Sequence, residues 1–143
     1  MWGANTVNFV KSATEAARNY LDVFPASRRS LIQQLKCDGY TTAEAREAVD
    51  NCKVNWNRQA VRYAKVCLSM APSSYNSLVE LLMNFGFTKE QAKYAADHCG
   101  ADWNEQATRY AVEYLHSTGE ELIKQLQQAG FTYEQAKYAS ENY

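Results

Sequence analysis

The side chains able to do chemistry are four cysteines, two histidines and a set of scattered carboxylates. A structural metal site would need several of them at short ligand spacing, such as a C-x-x-C pair. Cys37, Cys52, Cys67 and Cys99 form no such pair, and His98 and His116 fall at unrelated places. The cysteines read as small side chains on helices, and a disulfide framework is not expected. No GxSxG, P-loop, HExxH or GxGxxG is present, so no nucleophile, phosphate cradle, zinc pair or dinucleotide turn is assembled. The acids stand near Lys or Arg, as on a solvated surface. The expectation is a non-enzymatic chain with no cofactor, no metal and no small-molecule substrate.

Contact chemistry is what remains. In the stretch Thr88–Cys99, Ala92, Ala95, Ala96 and Cys99 define an inward stripe. At about 100° per residue, Tyr94 points away from it. Tyr138 repeats that place, and Lys93 and Lys137 stand beside the two rings, while Glu47 takes the ring's place near the N-terminus. An exposed Tyr next to a cation gives contact area at low entropic cost and a polar tip. Tyr94, Tyr138, Lys93 and Lys137 are therefore the candidate partner-binding residues. The alternative is that the rings pack on a neighbouring repeat.

The elements that position these residues recur. Gly39-Tyr40-Thr41, Gly86-Phe87-Thr88 and Gly130-Phe131-Thr132 are copies of one turn, spaced 47 and 44 residues apart. Self-similarity at this period marks a repeat architecture. Each Thr is followed three residues on by Glu44, Gln91 or Gln135, the pattern of a capping box. Leu31, Ile32 and Leu35, then Leu78, Val79 and Leu82, then Leu122, Ile123 and Leu126, supply inward faces before each turn. Asp102 with Glu105 and Ser117 with Glu120 suggest further boxes. Trp56, Trp103 and Phe9 sit at matching first turns, where a large ring would wedge one repeat against the next.

The fold expected is all-α: three tandem three-helix repeats with helix-turn-helix-like turns, stacked in one body. The boundaries are an irregular segment 1–6, a divergent first repeat 7–54, a second repeat 55–101 and a third repeat 102–143. With a net charge of −1, nothing points to nucleic acid or an acidic membrane surface. The helix following each turn carries at least as many acids as bases, which also opposes DNA recognition. No run reaches the roughly 20 apolar residues of a membrane span. Met1–Ser12 shows no apolar h-region and no lipobox cysteine, so either the protein is cytoplasmic or its signal is absent from this chain.

From about Ala13 to Tyr143 the chain resembles the repeats of the Ltp-type, host-cell-surface-exposed lipoproteins. The likeness rests on A-x-x-Y-A-x-x-x-L, L-I-x-Q-L, G-F-T-x-E-Q-A-x-Y-A and the D-W-N-E-Q-A joint. It implies small three-helix repeats from Gram-positive bacteria and their prophages. It also implies superinfection exclusion: a lipid-anchored protein at the cell surface that binds an incoming phage tape-measure protein and blocks DNA injection. The chain departs from that pattern in its missing leader, its extra N-terminal repeat and its four cysteines. A second resemblance runs through Leu82–Phe87, Ala92, Ala95 and Ala111–Leu115 to ubiquitin-associated domains, which implies a cytosolic interaction module. There the loop is longer by about one residue and Trp103 is atypical, so the likeness reads as convergence on a compact bundle.

Overall fold

The computed structural model describes residues 2–143, and their side chains from Asn8 onward. Among the described residues the elements are α1 (Trp2–Val23), α2 (Arg28–Cys37), α3 (Thr42–Asn51), α4 (Trp56–Met70), α5 (Tyr75–Phe85), α6 (Lys89–His98), α7 (Trp103–Tyr114), α8 (Gly119–Gln128) and α9 (Tyr133–Asn142). No strand occurs among them. The helices fall into three trios, and in each the third helix packs on both the first and the second.

The trios have the same physical basis. Leu31 and Leu35, Leu78 and Leu82, and Leu122 and Leu126 are fully buried at matching places. Each such leucine contributes about 2 kcal/mol relative to exposure. The third helices bury mainly alanines against them: Ala45 and Ala48, Ala92 and Ala95, Ala136 and Ala139, with Val49 added in the first repeat. Alanines there let helix axes approach closely, which a ten-residue helix needs to bury enough surface.

The three capping boxes form as the spacing predicts. The Thr41 N–H donates to Glu44 Oε1 at 2.8 Å, and the Glu44 N–H donates to Thr41 Oγ1 at 3.1 Å. Thr88 with Gln91 and Thr132 with Gln135 repeat the exchange. Each box satisfies two amides that the first turn of a helix leaves unpaired.

Several local expectations are corrected. α1 already runs from Trp2, so residues 2–6 of the segment expected to be irregular are helical; Met1 lies outside the described residues. Extending an existing helix costs far less than starting one. Asp102 makes half a box, accepting from the Asn104 and Glu105 amides. α8 is capped by Thr118 rather than Ser117, with no side-chain cap bond, and Gly119 follows in a left-handed conformation.

The apolar core is divided, one cluster per repeat. Aromatic wedges and polar clips join the clusters. Trp56, which opens α4 of the second repeat, packs on the core of the first; Trp103, which opens α7, packs on the core of the second. Phe9 does not share this role and is 53% exposed, because no described element precedes α1 for it to pack against.

The polar clip is the same at both joints. Ser27 caps α2 and donates its hydroxyl to the Phe85 carbonyl of the second repeat at 3.0 Å. Ser74 caps α5 and donates to the Ala129 carbonyl of the third repeat at 3.0 Å. Each accepting carbonyl precedes a glycine with positive φ, Gly86 or Gly130, on which a Cβ would collide with the serine Oγ. Buried Gln59 and Gln106 tie the joints from the other side: Gln106 Oε1 accepts from the Ser73 amide, and Gln59 holds Arg62, which donates to the Leu21 carbonyl.

Candidate docking surface

Tyr94 lies on α6 and Tyr138 on α9, the third helices of the second and third repeats. Buried alanines on one side and a capping box at the start fix the rotation of both helices. Both rings face outward, at 40% and 43% exposure, and Lys93 and Lys137 are exposed beside them. Adjacent helix residues do not face each other, so each lysine flanks its ring. The two pairs sit on different repeats, and no hydrogen bond or ring contact joins them.

Each tyrosine is joined to a polar residue four positions on. Tyr94 stacks on His98 with centroids 4.0 Å apart and planes 19° from parallel. His98 Nδ1 lies 2.7 Å from the Tyr94 carbonyl; a carbonyl can only accept, so Nδ1 carries a proton. Asn142 Nδ2 donates likewise to the Tyr138 carbonyl at 2.8 Å. The stack orders the Tyr94 ring.

Asp97 borders the Tyr94 face and accepts from the Tyr75 hydroxyl at 2.8 Å. Burial, with that carboxylate second, raises the Tyr75 phenol above its usual range. The four thiols are free. Burial pushes Cys52 and Cys67 upward, so both are held as thiols and are poor nucleophiles. Among the described residues no group of three or more His, Cys, Asp or Glu is placed to hold a metal ion. No helix there is long and apolar enough to cross a membrane.

Sequence reasoning passed over other exposed apolar side chains. Leu81 and Met83 on α5 are 47% and 38% exposed. The repeat alignment held the signal, since Gln34 and Lys36, and Gln125 and Gln127, occupy those places elsewhere. Tyr114 on α7 is half exposed beside Tyr110. Tyr133 opens α9 and is also exposed.

Comparison with known proteins adds one finding. The profile of the family described as host cell surface-exposed lipoprotein matches twice, over residues 8–52 and 55–99. No curated protein and no solved structure matches the chain.

Proposed function

The chain belongs to the host cell surface-exposed lipoprotein family, and from that membership we propose that it is a non-enzymatic protein-binding module of superinfection exclusion. On this reading it is held at the outer face of the membrane through a lipid tether. It binds a protein of an incoming phage, of the tape-measure type, and so prevents passage of DNA. The observation that carries the reading is the double family match on two tandem units. The exposed rings and lysines of α6 and α9 support it, since they offer contact area without assembling a reacting group. Tyr94 and Tyr138 provide the apolar area, and Lys93 and Lys137 bias the contact toward acidic rims.

The test has two arms. Host cells displaying the full chain are challenged with phage, and adsorption and DNA entry are scored separately. Retained adsorption with blocked entry is the expected result; unimpeded entry overturns the exclusion reading. In titration calorimetry against the tape-measure protein, the Tyr94→Ala/Tyr138→Ala pair weakens binding by about tenfold or more, with helical circular dichroism unchanged. Undiminished affinity removes the four residues from the interface.

A further inference from the structure

The net charge of −1 conceals an uneven distribution. Residues 1–70 hold ten Lys and Arg against six Asp and Glu, a balance of +4; residues 71–143 hold five against ten, a balance of −5. The chain is basic through its first repeat and into α4, and acidic beyond. Such an imbalance between halves points to a partner that meets one half and not the other.

The basic half gathers its charge in one place. A depression of about 340 Å³ opens between α2, α3 and the turn leading into α6. Arg28, Arg29 and Lys36 on α2 and Arg46 on α3 line it, and no carboxylate does. Thr42 and Thr88 line it too. Thr42 opens α3 and Thr88 caps α6, so two helix N-termini reach the depression and add positive potential.

Two of the four bases are held by neighbours. Asp50, outside the lining, accepts from Arg28 Nε at 2.9 Å, and Arg29 Nη2 donates to the Asn84 carbonyl at 2.8 Å. These bonds fix both guanidinium groups and leave further N–H donors on each. Lys36 and Arg46 are exposed and make no ion pair among the described residues. Asp50 also senses Arg46, so one acid stands against a cluster of four bases.

Repeat packing does not require this cluster. At the second joint Tyr75, Asn76 and Met83 take the places of Arg28, Arg29 and Lys36, and only Arg46 has a basic counterpart, Lys93. We propose that the depression binds a phosphate group, borne either by an anionic lipid headgroup or by a small soluble phosphate. Arginine forks match phosphate oxygens in pairs, and a lysine adds a movable point charge. An acidic peptide fits less well, because each of its carboxylates brings a single charge, whereas four bases converge here on one space. Nucleic acid needs cations along its whole path, and the balance turns acidic beyond residue 70. The headgroup source rests on the proposed lipid tether, which keeps the chain within reach of headgroups and is reinforced by a basic patch. The site itself rests on its own charges.

The experiment uses the intact chain at low salt, where electrostatic attraction is least screened. Binding is measured by sedimentation with phosphatidylcholine vesicles, with and without phosphatidylglycerol, and by titration calorimetry with inorganic pyrophosphate. Two charge-reversed variants are compared, Lys36→Glu/Arg46→Glu in the depression and Arg109→Glu/Lys124→Glu in the third repeat. They change the net charge equally, and circular dichroism checks the fold of each. Binding is expected to fall about tenfold or more on the first variant and to persist on the second. Binding that depends on phosphatidylglycerol assigns the headgroup source; pyrophosphate binding without it assigns the soluble one. Binding of neither probe, or equal losses on the two variants, overturns the site. So does an oligonucleotide or polyglutamate that binds more tightly than both probes and is lost on the first variant. Each of these failures leaves the exclusion reading standing, because phage DNA entry tests that separately.

Discussion

At Ser27 and Ser74 one hydroxyl accepts from its own helix and donates to the neighbouring repeat, so helix capping and repeat docking share an atom. Both serines are fully buried, and both require a glycine across the joint. The dependence is testable because Gly39 occupies the same turn with φ +106 and nothing near its Cβ position. An L residue at such an angle costs about 1–2 kcal/mol, which is the whole expected effect of Gly39→Ala in urea unfolding. Gly86→Ala carries the same strain and also disrupts the Ser27 clip, adding about 1–2 kcal/mol for hydrogen bonds lost in a buried place. In a Ser27→Ala background that extra cost shrinks. Equal losses at Gly39 and Gly86 in the native background would show that the clip adds nothing.

Among the elements, α2 and α3 are set against each other by electrostatics as well as by apolar burial. Arg28 sits at the positive end of the α2 dipole and Asp50 near the negative end of α3, each unfavourable alone. Pairing offsets both. The Arg28 hydrogen bond holds the Asp50 carboxyl below its ordinary 3.8, and Asp50 raises Arg28 in return. A lowered acid contributes stability above its unfolded pKa and loses it as pH falls through the folded one. The pair therefore acts near neutrality, and its contribution fades below about pH 3.8. Both side chains are about half exposed, so screening limits the contribution to about 0.5 kcal/mol or less. Asp50→Asn is expected to cost that much at neutral pH and to converge with the native chain in acid, measured by denaturant midpoints.

For the whole molecule, three separate cores linked by two joints raise the question of how far the repeats unfold together. Repeat proteins sum intrinsic stabilities and nearest-neighbour interfaces. Trp56 and Trp103 make the interface term large, since each ring lies on the core of the preceding repeat. Trp56→Ala is expected to cost roughly 2–3 kcal/mol, somewhat under the range for a fully buried ring, and to split a single calorimetric transition into steps. Phe9→Ala, at the matching but exposed place, should change stability by less than about 0.5 kcal/mol. Comparable losses at Phe9 and Trp56 would contradict the wedge.

The sequence by itself determined the all-helical class, the three turns, their capping boxes and the leucine faces. All of these rest on contacts within a few residues or within one period, and recurrence in three copies exposes them. It also marked Trp56 and Trp103 as wedges, because a large ring at a repeated first turn has few other uses. The tertiary structure alone decided which carbonyl Ser27 and Ser74 reach and why Phe9 is left exposed. Ser27 and Ser74 recur at the repeat spacing, but the carbonyl each reaches lies 58 and 55 residues on and is fixed only when the repeats dock.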